Sequence, residues 1–322
     1  MNIFYLAQIT GKAGVWAVKK NIAEIKRSYQ PDFIIANADM ATGTGGLGRQ
    51  HAGYLKKMGI DCITGGDCIF QKKDLVESLS QMPFVLRPFN FPAQSPGQGV
   101  RYFSARNGEK LAVFSLLGRV GHHRLLADNP FTAMQAALPE IEKETPFIIA
   151  DFSSFATAEK QTMAFFLAGR ISALIGSGTG AATADCRLIA GDNNRQVVDE
   201  YPLSMTTHVL MDAESTRIDR TSGMQEVGIR GAHPRSGRKT AYITDAGRTG
   251  SFDSVGGYAP AGKIREYRTG LFEYRQEIWQ RVCVQGVHIE LNGDGGARSI
   301  ERVRLELSPL SDQRRRENSH PQ

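Results

Sequence analysis

The stretch DFIIANADMATGTGGLGRQHAGYLKKMGIDCITGGDC, residues 32–68, contains the pattern of a complete strand–helix–strand unit. Its first run, 32–39, has the length and apolar composition of a buried strand, whereas 49–59 has helical periodicity and closes on Gly59. The run CITGG at 62–66 indicates a second, shorter strand. Strands that alternate with helices form parallel neighbours in one sheet, so this stretch predicts an α/β fold.

The same alternation continues on both sides of this unit. NIFYLA (2–7) predicts a strand, VWAVKKNIAEIKRSY (15–29) an amphipathic helix, and QKKDLVESLSQ (71–81) another helix. Further along, the pattern predicts a hairpin from 101–105 and 111–117, helices over 131–144 and 158–169, and strands over 147–152, 172–176, 240–247, 280–291 and 299–307. We therefore expect a largely parallel sheet covered by helices, followed by a β-rich last third.

The composition is that of an ordinary globular protein. Of the 322 residues, 41% are hydrophobic and 22% are charged, and the net charge is +6. Part of the positive charge lies in a basic segment, 311–322, which we expect to be a flexible tail; nucleic acid is not expected as a partner. The four cysteines are scattered, which is typical of a reducing compartment. There is neither a signal-peptide pattern nor an apolar run of about 18 residues, so we expect a cytoplasmic protein without membrane contact.

Five polar or glycine-rich loops follow the carboxyl ends of predicted strands. Open α/β sheets place their ligands at this edge, so a functional site is expected there. The loops are 8–10, 37–40, 65–68, 151–155 and 176–182.

One of these loops is continued by GTGGLG, residues 43–48, which matches the G-x-G-x-x-G dinucleotide fingerprint. That fingerprint requires its first glycine directly at the end of a strand, with the helix starting at once. Here Met40, Ala41 and Thr42 separate the strand from Gly43, and the motif follows the second strand instead of the first. We interpret this segment as a loop at the rim of the sheet.

Taken in order, the loops and their flanking strands resemble the calcineurin-like metallophosphoesterases. More narrowly, they resemble the YmdB-type branch, which is associated with 2′,3′-cyclic nucleotide phosphodiesterase activity. The resemblance covers nearly the whole chain and implies a two-sheet sandwich with α/β/β/α layers. It implies a single domain over 1–310, with an inserted hairpin region at about 190–239. The segments that carry it are 31–45, 61–75, 86–99, 111–119, 128–131, 147–160, 183–189, 241–250 and 299–307.

Such enzymes are expected to hold two metal ions that activate a hydroxide for attack on phosphorus. The family's first loop is G-D-V-x-G, and Gln8 stands here at the aspartate. The G-E-N loop becomes Ala38-Asp39-Met40, which keeps a carboxylate and loses the asparagine. The G-N-H loop becomes Gly66-Asp67-Cys68, so that Cys68 occupies the position of the general-acid histidine.

The last two loops have lost their imidazoles. D-F-H-A becomes Asp151-Phe152-Ser153-Ser154, and G-T-H-T-H becomes Gly176-Ser177-Gly178-Thr179-Gly180. Serine and glycine now stand at Ser153, Gly178 and Gly180, and glycine offers no side-chain ligand atom. Of the seven positions that the resemblance assigns to metal binding, only Asp39 and Asp67 keep a charged ligand.

These losses favour a catalytically inactive homologue, without a cofactor, that is retained for binding or assembly. The alternative is an active phosphodiesterase with a rebuilt centre, in which Asp39 and Asp67 hold one divalent cation (Mg²⁺, Mn²⁺ or iron), with Cys68 or a histidine of the rim as a further group. A third interpretation, compatible with the first, is that the backbone N–H groups of 176–180 bind a phosphate or nucleotide. The simpler roles are helix capping for Asp39 and Asp67, and apolar packing for Met40 and Cys68.

The connection at about 190–239 is much longer than in the family. THVLMD (207–212) and MQEVGIR (224–230) indicate short strands of a projecting hairpin. Apolar side chains in this region and several arginines suit a recognition surface. We expect this insertion to mediate self-association or to bind a protein partner.

Overall fold

The computed structural model describes residues 1–121, 126–191 and 237–307. Within these ranges the helices are α1 (Gly11–Tyr29), α2 (Arg49–Lys57), α3 (Lys73–Val76), α4 (Pro130–Glu144), α5 (Thr157–Phe166) and α6 (Pro260–Thr269). The strands are β1 (Asn2–Leu6), β2 (Gln8–Ile9), β3 (Phe33–Asn37), β4 (Cys62–Thr64), β5 (Val85–Leu86), β6 (Val100–Ser104), β7 (Lys110–Leu117), β8 (Phe147–Ser153), β9 (Ala173–Ser177), β10 (Arg187–Ala190), β11 (Lys239–Ile243), β12 (Arg248–Ser251), β13 (Val282–Leu291) and β14 (Ala297–Glu306).

The strands form two mixed sheets. The first has eight strands. Seven follow the order β2-β12-β13-β1-β3-β4-β5, and the eighth, β14, also pairs with β13. Strands β1, β3, β4 and β5 are parallel, as the repeating strand–helix pattern predicts, whereas β13 runs antiparallel to β1. The second sheet has six strands in the order β10-β11-β9-β8-β7-β6, and β6 and β7, at one edge, form the predicted hairpin.

Alternating side chains of the strands build three apolar layers. In β1, Tyr5 faces the second sheet, and Phe4 faces α1. In β7, Val113 faces the first sheet, and Phe114 faces α4 and α5. Because successive side chains of a strand point to opposite faces, each sheet has one face against the other sheet and one against helices. This is the predicted α/β/β/α sandwich.

The predicted helix over 71–81 is wrong. Only α3 is α-helical there, between two 3₁₀ turns at Ile69–Gln71 and Leu79–Gln81. The Ser78 hydroxyl donates to the carbonyl of Asp74 (2.7 Å), a local bond that competes with continued helix geometry. Leu75 and Leu79 are nevertheless buried, so the helical spacing of apolar residues reflects packing of short turns.

Several predictions fall at the ends of the described ranges or beyond them. The strands predicted at 207–212 and 224–230 and the tail at 311–322 lie outside the described residues. Strands β10 and β11, which flank the predicted insertion, pair antiparallel with Ala190 opposite Lys239. Within the described ranges, no helix combines the length and apolar character needed to cross a membrane.

Candidate functional site

The predicted rim loops meet at the carboxyl ends of the strands. A Cβ placed on Gly66 would lie 2.8 Å from Ser153 Oγ and 2.9 Å from Asp39 Oδ2, so three loops are in direct contact there. A Cβ on Gly178 would lie 3.0 Å from the same Ser153 Oγ. One on Gly180 would lie 3.2 Å from Gln8 Oε1.

Met40 joins this arrangement through the backbone. Its carbonyl accepts a hydrogen bond from Gly11 N (2.9 Å), and Met40 forms a parallel bridge with Thr10, next to the Gln8 strand. The side chain is half-buried. The structure thus connects Met40 with the other positions singled out in the sequence along one edge.

Asp39, Asp67 and Cys68 form what we call the acidic cluster. One ligand atom from each lies within 4.8 Å of the other two, and this is the one such group of three in the part of the chain that the structure describes. Asp39 is 2% exposed. Its Oδ2 accepts a hydrogen bond from Cys68 N (3.0 Å), whereas its Oδ1 is buried without a hydrogen-bond partner.

The electrostatics of the acidic cluster disfavour further negative charge. Burial, and then the neighbouring Asp67 carboxylate, raise the pKa of Asp39 to about 7. Burial, with the two carboxylates, also raises the pKa of the Cys68 thiol, whose Sγ accepts a hydrogen bond from Gln71 Nε2 (3.0 Å). Cys68 is therefore held as a thiol, which is a poor nucleophile and a poor proton donor.

A buried carboxylate, Asp151, supports the rim from below. It accepts hydrogen bonds from Tyr5 Oη (2.9 Å), Asn37 Nδ2 (3.0 Å), Ser177 Oγ (2.6 Å) and the Thr64 hydroxyl. Burial raises the pKa of Asp151, and its four donors act in the opposite direction. These donors come from β1, β3, β4 and β9, so this one side chain ties both sheets together directly beneath the loops.

The other half of the rim contains an arginine that the sequence analysis did not single out. Arg248 lies opposite Gln8 in the parallel pairing of β12 and β2, and its Nη1 is 3.7 Å from a Cβ placed on Gly180. We call Gln8, Gly180 and Arg248 the arginine half. The only signal for Arg248 in the sequence is its place after Asp245 in the segment TDAGRTG.

A buried ion pair anchors the glycine loop, residues 176–182, which lies between the acidic cluster and the arginine half. Lys160 Nζ lies 2.9 Å from Asp245 Oδ2, and both side chains are fully buried. The same Oδ2 accepts hydrogen bonds from Thr179 N (3.0 Å) and Thr179 Oγ1 (2.7 Å). Asp245 Oδ1 accepts from Gly247 N (2.9 Å). Lys160 and Asp245 are far apart in sequence, and nothing in the sequence pattern pairs them.

The donor set fits one cation and does not fit two. Two carboxylates suit a single divalent ion with its remaining positions taken by water, and the unpartnered Asp39 Oδ1 is available to it. The arginine half offers a neutral amide, a glycine and a guanidinium, none of which replaces an imidazole or a carboxylate. Of the described histidines, His51 pairs with Thr42 and His288 with Glu301, away from the acidic cluster.

Comparison with known proteins settles the family. A family model described as YmdB-like protein matches residues 4–196 and 236–303. The chain belongs to the YmdB-like family. The predicted resemblance is thereby confirmed, and the unmatched residues 197–235 fall inside the insertion expected from the sequence.

Individual YmdB-like relatives agree with this assignment. The chain is 30% identical to the 2′,3′-cyclic-nucleotide 2′-phosphodiesterase of Bacillus subtilis over 304 residues, 94% of this chain and 96% of that protein. A phosphatase from Mycoplasma pneumoniae has the same fold, with a TM-score of 0.75, 23% identity and coverage of 98% and 96%. A hypothetical protein from Thermus thermophilus gives a TM-score of 0.73, 22% identity and coverage of 95% and 99%. The two structures show that this chain shares their fold.

Proposed function

We propose that this YmdB-like protein has lost two-metal phosphodiester hydrolysis and keeps its rim for binding. The observation that carries the proposal is the backbone at Gly178 and Gly180, where φ is +104° and +67°. Residues with a side chain rarely adopt such values, least of all the first. The loop has a conformation that suits glycine and is anchored there by Asp245, which supports the absence of histidine ligands from both positions.

The chemistry of the rim supports the same proposal. A two-metal centre stabilises both the attacking and the leaving oxygen, and it requires ligands on both sides of the scissile bond. The acidic cluster supplies ligands on one side. On the other side, the neutral Gln8 and the guanidinium of Arg248 repel or fail to hold a second cation.

Turnover of a 2′,3′-cyclic nucleotide tests the proposal. We expect no hydrolysis of 2′,3′-cyclic AMP with Mg²⁺, Mn²⁺ or Fe²⁺, under conditions in which the Bacillus subtilis relative, named for this activity, serves as the positive control. Metal-dependent turnover that disappears in an Asp39→Ala, Asp67→Ala double variant would overturn the proposal.

One observation favours a second candidate, hydrolysis with a single cation. Asp39 Oδ1 is buried without a hydrogen-bond partner, and a cation bound by Asp39 and Asp67 would compensate for the missing hydrogen bond. In this case the purified protein binds about one Mn²⁺ per chain, and Asp67→Asn abolishes both binding and turnover. The exposed Asp253, paired with Arg281, provides a matched control: Asp253→Asn leaves both unchanged.

The remaining part of the proposed function concerns assembly. We propose that residues 190–239 mediate self-association or bind a protein partner, as the composition of this segment suggests. Most of the segment lies outside the described residues, so this part stands on sequence alone.

A further inference from the structure

Arg248 is an arginine without a counter-charge at the edge of the site. Several arginines in the described ranges pair with carboxylates, such as Arg170 with Glu142 (3.0 Å) and Arg106 with Asp61 (2.9 Å). Arg248 forms no ion pair with any described residue. Its Nη2 donates to Ser251 O (3.1 Å) and Ser254 Oγ (3.0 Å), both of which are uncharged.

These two hydrogen bonds orient the guanidinium and leave its other edge available. Nη1 lies on the side of Gly180, 3.7 Å from the position of a Cβ there. Nη2 uses both of its hydrogens on these serines, so Nη1 is the amino group that can donate a charge-assisted hydrogen bond to an oxygen of a phosphate group. Orientation by Ser251 and Ser254 reduces the side-chain entropy that is lost when such an anion binds.

The neighbours of Arg248 keep its charge available. Gln8 stands directly opposite in the parallel register, and its amide does not neutralise the guanidinium. An aspartate at this position would place a carboxylate opposite Arg248 in the same register. Gly180 adds no side chain to the space between them, and all three residues are partly exposed to solvent.

We propose that Arg248, Gln8 and Gly180 form an anion site that binds the phosphate group of a phosphate monoester, with the guanidinium at a place where the family has a metal-binding loop. This site specifies the ligand of the proposed binding function. It rests on that proposal in one respect: the bound ester is held and not hydrolysed. Arg248 supplies the fixed positive charge, the uncharged Gln8 does not neutralise that charge, and Gly180 gives the phosphate oxygens room to approach.

Calorimetric titration of the full chain tests this site. The protein is treated with a chelator, so that no metal contributes, and is titrated at constant ionic strength with inorganic phosphate, adenosine 2′-monophosphate and adenosine. We expect both phosphate-containing ligands to bind and adenosine not to bind. Tighter binding of the nucleotide than of inorganic phosphate assigns the site to an ester, and equal binding assigns it to the free ion; either supports the phosphate site.

Two variants locate the binding at Arg248. Arg248→Gln removes the charge and is expected to weaken phosphate binding at least 10-fold, as the loss of a charge-assisted hydrogen bond does. Gln8→Asp keeps the arginine but pairs it, and is expected to cause a similar loss. Arg281→Gln, at an exposed arginine, is the matched control and leaves binding unchanged. Circular dichroism establishes that each variant is folded.

The proposal is overturned if the wild type binds neither phosphate ligand at millimolar concentration, or if folded Arg248→Gln binds them as the wild type does. It is also overturned if adenosine binds as tightly as its monophosphate. These outcomes are independent of the proposed function, because they are measured without metal. Metal-dependent turnover by a protein that still binds phosphate through Arg248 would overturn the loss of hydrolysis alone.

Discussion

At the scale of single residues, Gly178 has a backbone conformation that suits glycine. Its φ of +104° is strained for any residue with a side chain, and a Cβ there would approach Ser154 N and O at 3.1 Å. We expect Gly178→Ala to lower the free energy of unfolding by about 1–3 kcal/mol. Gly53→Ala in α2, where a Cβ meets nothing within 4 Å, is expected to raise it by about 0.5–1 kcal/mol. Denaturant titrations of both variants measure the contrast, and equal effects would contradict it.

Asp39 makes the stability of the protein depend on pH. Its pKa is raised by burial and by Asp67 to about 7, above the ordinary value of 3.8. Below about pH 4 the folded and unfolded chains both carry the proton, and between about pH 4 and 7 only the folded chain keeps it. Stability is therefore lost as the pH rises through this window, by up to about 4 kcal/mol from this group.

Asp39→Asn removes the ionisation. We expect its free energy of unfolding, relative to the wild type, to increase between pH 4 and pH 8 in chelator-treated protein. The change with pH is the quantity to measure, since the cost of an unpaired amide is the same at every pH. Asp253→Asn, at an exposed carboxylate, serves as the control. A difference that is constant with pH would show that Asp39 ionises normally.

At the scale of elements, the Lys160–Asp245 ion pair joins α5, the segment after β11 and the glycine loop. Removing one partner leaves a buried charge without compensation, so we expect Lys160→Met to cost about 3–5 kcal/mol of stability. Lys143→Met, which removes an exposed partner of Glu140, is expected to cost less than about 1 kcal/mol. Thermal unfolding followed by circular dichroism measures both. Similar melting temperatures for the two variants would show that Asp245 finds another partner.

The sequence predicted the elements better than the contacts between them. Apolar runs marked β3, β8 and β9 because buried strands need continuous apolar side chains. The helix over 71–81 was wrong because Leu75 and Leu79 satisfy helical spacing in separate turns.

The contacts of the site depend on residues that are distant in the chain. Asp151 gathers donors from four strands, and Asp245 pairs with Lys160 on another element. Arg248 follows no recognised motif, and only the β2–β12 pairing places it beside Gln8. Local pattern could therefore locate the rim and its departures from the family motifs, but it could not place the distant charged residues beside them.

At the scale of the whole molecule, a YmdB-like scaffold carries an altered rim and an extended connection between β10 and β11. We expect replacement of 192–236 by a four-residue Gly-Ser turn to give a folded protein that has lost self-association or partner binding. Gly191, Gly237 and Arg238 are kept, because the buried Arg238 guanidinium donates to Gly295 O (3.1 Å) and to the carbonyl of Pro146. Light scattering and pull-down measure the change. Identical results for the shortened and full chains would show that the insertion has no role in self-association or partner binding.

The register of β10 and β11 also explains how so long a connection can be accommodated. Ala190 and Lys239 face each other, so the chain leaves the sheet and returns to it at neighbouring points. The entropy of closing a loop between fixed ends grows only with the logarithm of its length, and lengthening a four-residue turn to about fifty residues costs about 2 kcal/mol even for a fully flexible segment. Such a cost is small enough for the rest of the domain to offset. This hairpin is therefore a position at which foreign sequence, such as an epitope or a small reporter domain, can be inserted while both sheets keep their pairing.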